Sequence, residues 1–222
     1  VRASLLPPFN SIFLIIKGNY LNEVLLVNKK EIGLKMTLYF ITGNINKFNE
    51  IKGFIPEIKQ IDIDLKEIQD IDPKKIIEEK LNEAIKENPE SNKNNQYFCE
   101  DTSLEINSLN GLPGPFIKWF LKTLGNKGIY DLIKDKKDKS AIARTIIGYA
   151  DRERILFFEG QTKGEIVEPF SDKGYGWDSI FKPNKSEKTF AEMSDEIRDM
   201  RKKALIKLKN YLMENKNENR AS

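Results

Sequence analysis

The chain has 222 residues, with 37 Lys and Arg against 34 Asp and Glu, so its formal net charge is +3. A chain of this length folds as one large domain or as two lobes, and the nearly balanced charge does not demand a polyanionic partner. The sequence contains no histidine, which excludes histidine-based catalytic triads and His-ligated zinc. Any catalysis must therefore use carboxylates, lysines, hydroxyls or a bound metal.

Cys99 is the single cysteine of the chain. A single thiol excludes an internal disulfide and fits a reducing compartment such as the cytoplasm, although one thiol by itself says little about location. Glu100 and Asp101 follow it directly, and such adjacent carboxylates raise the pKa of a thiol rather than lower it. We therefore expect Cys99 to be a buried strand residue and not a nucleophile.

Residues 1–35 differ in composition from the rest of the chain. Their apolar run from Phe9 to Ile16 is too short to cross a membrane, which takes about 20 apolar residues. No small-residue cleavage signature follows that run. We expect this segment to lie outside the folded core, either as a leader or as residues added by a vector or a gene prediction before a natural start at Met36.

From Met36 onward, strand-like and helix-like segments alternate. The predicted strands are 37–42, 58–65, 97–99, 143–150 and 155–162, the last two forming a hairpin, and the predicted helices are 46–54, one opening at Pro73, 116–124, 129–134 and 194–213. A polar surface loop is expected at 87–95 and a disordered tail at 214–222. Strict strand–helix–strand repetition is absent, so we predict a mixed sheet with flanking helices in an α/β or α+β domain over residues 36–213.

The first candidate site is the turn between the first strand and the first helix of this domain, Thr42-Gly-Asn-Ile-Asn-Lys47. Backbone amides at a helix N-terminus bind anions, and Gly43 lets a phosphate approach the main chain closely. Lys47 falls in the first helical turn, where its charge opposes the helix dipole unless an anion compensates. The motif is shorter than a P-loop, so an ordinary turn with a solvated lysine is the alternative.

Acidic residues follow two predicted strands. Glu100 and Asp101 close the strand at 97–99, and because neighbouring strand side chains point to opposite faces, one of them can enter a cleft while the other does not. Glu67 follows the strand at 58–65. Carboxylates in such positions can hold Mg²⁺ together with phosphate oxygens, although they also serve commonly as caps or lie in solvated turns.

A third candidate is the segment Gly174-Tyr-Gly-Trp-Asp178. Paired glycines around aromatic residues favour an irregular loop, and an aromatic ring held there can stack on a nucleotide base. The alternative is packing in the hydrophobic core, which we expect for at least one of Trp177 and Phe181.

Six segments resemble, in order and spacing, the inosine triphosphate pyrophosphatase family, and especially its eukaryotic members. They are TGNINK at 42–47, EIQ at 67–69, EDTSLEINSLNGLPGPFIKWF at 100–120, FFEG at 157–160, GYGWDSIFKP at 174–183 and TFAEM at 189–193. The resemblance implies a two-lobed α/β fold with a nucleotide cleft between the lobes, usually as a homodimer. It also implies Mg²⁺-dependent hydrolysis, with Mn²⁺ as a substitute, of non-standard purine triphosphates such as ITP, dITP and XTP to the monophosphate and pyrophosphate.

The resemblance also implies roles for individual residues. Asp101, Lys47 and Glu67 would be catalytic, and Glu67 and Asp101 would be the metal ligands. The implied substrate-binding residues are Thr42, Gly43, Asn44, Lys47, Lys80, Thr102 or Ser103, Lys118, Tyr175, Gly176, Trp177, Asp178 and Arg201. Hydrolysis of a triphosphate needs charge neutralisation and alignment more than a strong nucleophile, so Asp101 or Glu67 would orient or deprotonate the attacking water.

The segment after TFAEM departs from the family pattern. Relatives carry a lysine and then Ser-His-Arg, whereas this chain reads Ser194-Asp-Glu-Ile-Arg-Asp-Met-Arg201. Arg201 aligns with the family arginine, Met200 stands in place of the histidine, and Arg198 could partly replace the charge of the lysine. In relatives these residues contact the base and donate hydrogen bonds to its 6-keto group, which methionine cannot do. If a buried polar contact is lost in this way, the preference for 6-keto over 6-amino purines would relax by roughly 1–3 kcal/mol. An internal deletion explains the shortened segment equally well.

A hypothesis from a different class is a nucleotide-binding sensor or scaffold with lost turnover or broadened specificity. The presence of Lys47, Glu67 and Asp101 together favours the enzyme, since a non-catalytic binder has less use for both acids. The basic runs at 201–203 and 207–209 fit a solvated helix face, so we expect neither nucleic-acid nor membrane binding.

Overall fold

The computed structural model describes residues 37–62, 68–87, 95–151, 154–169, 174–193 and 197–221, and two short strands before them. These strands, β1 (Ser11–Ile15) and β2 (Val24–Asn28), form an antiparallel pair within a unit that ends at Met36. A second unit begins at Thr37. The origin expected for residues 1–35, as a leader or an added segment, stays a prediction.

The second unit opens with two strand–helix segments. Strand β3 (Leu38–Ile41) leads into helix α1 (Ile45–Phe54), and strand β4 (Lys59–Ile61) precedes helix α2 (Pro73–Glu87). The helix predicted to open at Pro73 does so. The strand predicted at 58–65 is present at Lys59–Ile61, and residues 63–67 lie outside the described part of the chain, as do residues 88–94 of the predicted polar loop.

The remaining elements are three long strands, two short strands and two helices. They are β5 (Gln96–Ile106), β6 (Pro113–Gly114), α3 (Ile117–Asp131), β7 (Ser140–Ala150), β8 (Ile155–Ile166), β9 (Phe181–Pro183) and α4 (Asp199–Ala221). Single 3₁₀ turns cover 107–109, 178–180 and 190–192. Helix α3 is broken at Gly125, whose φ is 65°, and the break falls between the two helices predicted at 116–124 and 129–134.

Several predicted boundaries are wrong. The last helix begins at Asp199 and not at residue 194, and the two hairpin strands extend to Ser140 and to Ile166 at their outer ends. The strand predicted at 97–99 continues to Ile106, because Leu104 and Ile106 extend its apolar alternation and are fully buried. Glu100 and Asp101 therefore lie inside a strand and do not close it. At the C-terminus, α4 continues to Ala221 through residues predicted to be a disordered tail, since no glycine or proline is present there to end the helix.

Seven strands form one mixed sheet in the order β4-β3-β5-β7-β8-β9, with β6 pairing on β5. Strand β3 runs parallel to β4 and β5, and the other pairs are antiparallel. Strands β7 and β8 form the predicted hairpin, closed by the pair Ala150 and Ile155. The mixed sheet with flanking helices that the sequence predicts is thus confirmed.

Hydrophobic clusters cover both faces of this sheet. On one face, α1 and α4 pack against the strands through Ile51, Leu205 and Leu208. On the other face, α2 packs through Ile77 and Leu81. Neighbouring strand residues alternate between the two clusters, as the pleat requires: Phe98 with Phe40 on the first face, Cys99 with Ile41 on the second. A third cluster lies around α3 and β9 and includes residues at one end of the long strands β5, β7 and β8. We call this end of the sheet the second lobe.

Helix α4 approaches β8 very closely at Gly160, the glycine of the FFEG segment. A Cβ atom at this position would collide with the carbonyl oxygen of Met200 and lie 2.8 Å from the nitrogen of Ala204. Because both atoms belong to the helix backbone, α4 as a whole would have to move away. The glycine therefore fixes the distance between α4 and the sheet.

We expect Gly160→Ala to lower the free energy of unfolding by about 1–3 kcal/mol, the usual cost of overpacking a buried contact. Gly53→Ala is the matched control, because Gly53 lies in α1 with no atom within 4 Å of its added Cβ. This control should gain roughly 0.5–1 kcal/mol from the higher helix propensity of alanine. Urea unfolding followed by circular dichroism measures both variants. Equal midpoints for Gly160→Ala and the unchanged protein would contradict the close approach of α4.

Candidate functional site

A cleft opens along one edge of β5. Strand β3 pairs with β5 only as far as Phe40 and Phe98, and β6 pairs with β5 at Leu104 and Glu105. Between these two pairings, in the described part of the chain, residues 99–103 have no strand beside them on that edge. The gap opens where β3 turns into α1, and it widens into a cleft of about 920 Å³.

The cleft brings together all the predicted site residues that the structure describes, Ser103 excepted. Its walls include Thr42, Gly43, Asn44, Lys47, Lys80, Asp101, Thr102, Lys118, Tyr175, Gly176, Trp177, Asp178 and Arg201. Ser103 is buried instead, with its Oγ 3.4 Å from Glu105 Oε1. Glu67, the second predicted metal ligand, lies outside the described residues. The roles implied for these residues stay predictions.

One end of the cleft is the N-terminus of α1. Asn44 caps the helix, since its Oδ1 accepts hydrogen bonds from the backbone amides of Asn46 and Lys47 at 3.0 and 3.1 Å. Thr42 Oγ1 accepts a hydrogen bond from the amide of Asn44 at 3.1 Å and holds the turn from the strand side. At Gly43, an added Cβ would lie 2.8 Å from Asp62 Oδ1, so glycine also admits this neighbouring side chain.

Lys47 is held in this turn by an internal anion. Its Nζ lies 3.2 Å from Oε1 of Glu100, whose side chain is almost completely buried. The sequence indicates that a cation in the first turn of α1 needs an anion nearby, and in the structure the protein itself supplies one. The alternative of a fully solvated lysine does not apply, because Lys47 is ion-paired and partly buried.

Glu100 is the centre of a buried ion-pair network. Arg201 Nε donates to Glu100 Oε2 at 2.9 Å, and Arg201 Nη1 donates to Glu50 Oε2 at 2.5 Å. Burial by itself raises the pKa of the Glu100 carboxyl, but the charges and hydrogen bonds of Arg201 and Lys47 outweigh it and lower this pKa to about 2. Glu100 is therefore charged throughout the neutral range, and the network joins α1, β5 and α4.

Both Glu100 and Asp101 border the cleft, but the Glu100 side chain is 1% exposed and is taken up by its ion pairs. They do point to opposite faces, Glu100 toward Lys47 and Arg201, and Asp101 within the electrostatic reach of Lys80 on α2. The cleft surrounds the unpaired edge of β5, so it reaches side chains on both faces.

Asp101 is the acid best placed to act on a ligand. Burial raises the pKa of its carboxyl above the ordinary value, against the opposing charge of Lys47. Within the described residues, no three His, Cys, Asp or Glu side chains are grouped to hold a metal. Mg²⁺ needs only one or two protein carboxylates when phosphate oxygens and waters complete its shell, so Asp101 in this lysine-rich cleft fits such an ion.

The loop Gly174 to Asp178 faces the α1 turn across the cleft. Gly174 and Gly176 have φ values of 95° and 63°, which glycine adopts without strain, and the predicted irregular loop is present. Tyr175 is 56% exposed, and its hydroxyl accepts a hydrogen bond of 2.5 Å from Asn44 Nδ2. Trp177 is buried and packs edge-on against Phe181, so the core alternative holds for both of these rings. Tyr175 is the ring that the loop presents to the cleft.

Asp178 holds this loop in place through two hydrogen bonds. Its Oδ2 accepts hydrogen bonds from the amide of Tyr175 at 3.2 Å and from Arg198 Nη2 at 2.7 Å. Arg198 lies in the cleft wall beside Met200, which is buried in the hydrophobic cluster of the second lobe. The shortened segment before Arg201 therefore places a guanidinium and a thioether at this end of the cleft.

Several residues of the site escape sequence reasoning. Asn126 Nδ2 donates to the carbonyl of Gly176 at 2.9 Å, and Trp119 Nε1 donates to Gln69 Oε1 at 2.9 Å across the cleft. Glu50 is a further member through its bond to Arg201. The only local signal is Gly125, which breaks α3 just before Asn126 and lets this side chain reach the loop.

Cys99 plays no part in the cleft chemistry. It is fully buried, and burial raises the pKa of its thiol to about 12. At neutral pH the thiol is therefore protonated and shielded. The expectation of a buried strand residue is confirmed.

The fold and the cleft together define an α/β protein with a cation-lined site at the end of a parallel strand pair, suited to a small anionic ligand. A sequence profile of the Ham1 family matches residues 38–211. The inosine triphosphate pyrophosphatase of Schizosaccharomyces pombe is 38% identical over 191 residues, which cover 82% of this chain and 97% of the yeast protein. That of Saccharomyces cerevisiae is 36% identical over 195 residues, covering 80% and 96%.

The fold has solved counterparts as well. A HAM1 protein from Coxiella burnetii superposes with a TM-score of 0.68 at 23% identity, covering 81% of this chain and 99% of that one. Because the family profile matches residues 38–211, this chain belongs to the Ham1 family. No helix among the described residues is long and apolar enough to cross a membrane.

The folded-state pKa of Glu100 predicts an acid-dependent loss of stability. Because this pKa is about 2 while the ordinary value is 4.5, the stabilisation by Glu100 is complete above about pH 4.5 and is lost as the pH falls toward 2. In EDTA, the difference in unfolding free energy between the unchanged protein and Glu100→Gln should be largest near neutrality and shrink over this range. Denaturant unfolding at several pH values measures it, and a constant difference would contradict the low pKa.

The hydrogen bond from Asn126 predicts a role in ordering the 174–178 loop. In Asn126→Ala the carbonyl of Gly176 loses its donor, so the loop should open more often, at a cost of about 1 kcal/mol. Amide hydrogen exchange of residues 174–178 should then be roughly fivefold faster. Asn107→Ala is the control, because Asn107 donates to Ser140 far along the chain from this loop. Unchanged exchange in Asn126→Ala would show that the loop does not depend on this bond.

Proposed function

We propose that this chain is a nucleoside triphosphate pyrophosphatase. Its substrates would be non-standard purine nucleoside triphosphates such as ITP, dITP and XTP, which it would hydrolyse to the monophosphate and pyrophosphate. The yeast relatives support this activity, because they are inosine triphosphate pyrophosphatases and the chain matches them over nearly their full length. The observation that carries the proposal is the cleft, which joins an anion-binding helix N-terminus to an acid and to a loop that presents an aromatic ring.

The α1 end of the cleft would bind the triphosphate. The amides of the capped helix N-terminus attract anions, and Lys47, Lys80 and Lys118 line the same space. A triphosphate carries about four negative charges, and neutralising them is the main requirement of phosphoryl chemistry. Three lysines and a helix N-terminus supply much of that neutralisation without histidine.

Asp101 would align the attacking water and accept its proton. Its carboxylate lines the cleft among the lysines that would hold the phosphates, where it could take a proton from the attacking water. Asp101 and Glu67 would also hold Mg²⁺, for which Mn²⁺ could substitute. The ion, when bound, would neutralise phosphate oxygens as a Lewis acid.

The 174–178 loop would hold the purine. Tyr175 offers an exposed ring for stacking, while Arg198 and Asp178 place a donor and an acceptor in the cleft wall. A guanidinium N–H can donate to a 6-keto oxygen but not to a 6-amino group. Met200 can donate to neither, so we expect selectivity at this end to depend on Arg198.

The biological setting follows the family resemblance. We propose a role in cleansing the nucleotide pool of non-standard purines, by a homodimer in the cytoplasm. The small net charge of +3 supports a small-molecule substrate rather than a nucleic acid.

Asp101→Asn tests the proposed chemistry. Because an amide accepts protons poorly and carries no charge for a metal, pyrophosphate release from ITP with Mg²⁺ should fall by roughly 100-fold or more. Asp135→Asn is the matched control, an exposed turn residue outside the cleft, and should keep full activity. Near-normal release by a correctly folded Asp101→Asn would overturn the assignment.

The substrate panel should contain ITP, XTP, dITP, GTP and ATP. We expect faster release from ITP, XTP and dITP than from ATP, because these bases offer a 6-keto oxygen to Arg198 and adenine does not. GTP also carries a 6-keto group, so its rate reports on the 2-amino group instead. Equal rates on ITP and ATP would contradict the selectivity and leave the hydrolase class intact. Nucleotide binding without any product would favour the alternative, a sensor or scaffold.

A further inference from the structure

Arg201 does not present its bonded nitrogens to the cleft. Its Nε is bound to Glu100 at 2.9 Å and its Nη1 to Glu50 at 2.5 Å, and its side chain is 8% exposed. A guanidinium that is hydrogen-bonded to two carboxylates mainly neutralises the charges of those carboxylates. This geometry differs from the direct contact with substrate that the family resemblance implies for Arg201.

Glu100 faces two cations at once. Its Oε2 accepts from Arg201, and its Oε1 lies 3.2 Å from Lys47 Nζ. The Glu100 side chain is 1% exposed, so water does little to screen it, and its negative charge must be balanced by these two partners. If Arg201 balances only part of the negative charge of Glu100, the remaining charge attracts the ammonium group of Lys47.

Lys47 is the member of the network that a ligand can reach. Its side chain is 21% exposed and lies in the cleft wall, in the first turn of α1. A phosphate at this helix N-terminus has to compete with Glu100 for the ammonium group. The strength of that competition depends on how far Glu100 is neutralised from the other side.

We propose that Arg201 is a positioning residue that sets the phosphate affinity of the cleft through Glu100. By neutralising Glu100 from behind, it allows Lys47 to exchange its carboxylate partner for phosphate. Without Arg201, the uncompensated Glu100 would hold Lys47 more tightly and would repel the incoming anion. The inference deepens the proposed function, on which it rests for the presence of a phosphate-bearing ligand.

The test uses inorganic tripolyphosphate, which has phosphates but no base. Calorimetric titration in EDTA compares the unchanged protein with Arg201→Met and with the double variant Arg201→Met/Glu100→Gln. We expect Arg201→Met to bind roughly tenfold more weakly, as loss of a buried charge partner implies. Because the double variant also lacks the unbalanced carboxylate, it should recover most of that loss.

Arg144→Met is the matched control. Arg144 is also paired with two carboxylates, Glu105 and Glu159, but it does not line the cleft. The variant removes the same charge from the protein as a whole, so it corrects for long-range electrostatics. Its affinity for tripolyphosphate should stay within about twofold of the unchanged protein, because neither Arg144 nor its two carboxylate partners line the cleft.

Glu100→Gln alone keeps the test decisive if Arg201→Met does not fold. This variant removes the internal competitor, so it should bind tripolyphosphate at least as tightly as the unchanged protein. Weaker binding would overturn the inference. The unfolding midpoint of each variant, measured alongside, separates a loss of affinity from a loss of structure.

The outcomes separate this inference from the proposed function. Arg201→Met that binds tripolyphosphate normally but ITP weakly would overturn the inference and show that Arg201 contacts the base. A double variant as weak as Arg201→Met would also overturn it, because the effect would not pass through Glu100. If the unchanged protein does not bind tripolyphosphate in EDTA, the inference fails. The proposed function is decided separately, by pyrophosphate release from ITP with Mg²⁺.

Discussion

The buried charge of Glu100 is the constraint on which the arrangement of the cleft depends. A carboxylate with almost no access to water must be paired, and its partners come from two different helices, Lys47 from α1 and Arg201 from α4. Both helices pack on the same face of the sheet. Hydrophobic contacts hold both helices on that face, and the ion pairs then fix the position of each helix relative to β5. The anion-binding turn of α1 thus acquires its position relative to β5 from electrostatics as much as from packing.

The sheet supplies the opening in which these charges act. Strand β5 is long enough to pair with β3 near its start and with β6 near its end, and the interval between the two pairings is where Glu100 and Asp101 lie. A shorter β5, as the sequence predicts, would have placed both acids in a turn. Their position inside a strand makes them rigid, since β7 pairs with β5 along this whole stretch. The catalytic candidate is therefore held along its paired edge by β7, which in turn is paired with β8 along its whole length.

Local chemistry made part of the site predictable. The Gly43-Asn44 turn and the Gly174 to Gly176 loop are visible in the sequence because glycine, asparagine and helix starts leave short-range signatures. The ion-pair network around Glu100 leaves no short-range signature, because Arg201 is 101 residues away along the chain and reaches Glu100 only after α4 has packed. Asn126 is hidden for the same reason. The mixed sheet was predictable from alternation, whereas the end of β5 was not, because two charged residues interrupt a strand that continues beyond them.

The hydrogen bond between Asn44 and Tyr175 joins the α1 turn to the 174–178 loop across the cleft. It is open to solvent, so water can replace it at little cost, unlike the ion pairs behind it. Under the proposed function, a nucleotide would enter by breaking this bond while the buried ion pairs of Glu100 stay intact. Entry of the ligand and alignment of its phosphates would then depend on different groups within a single cavity.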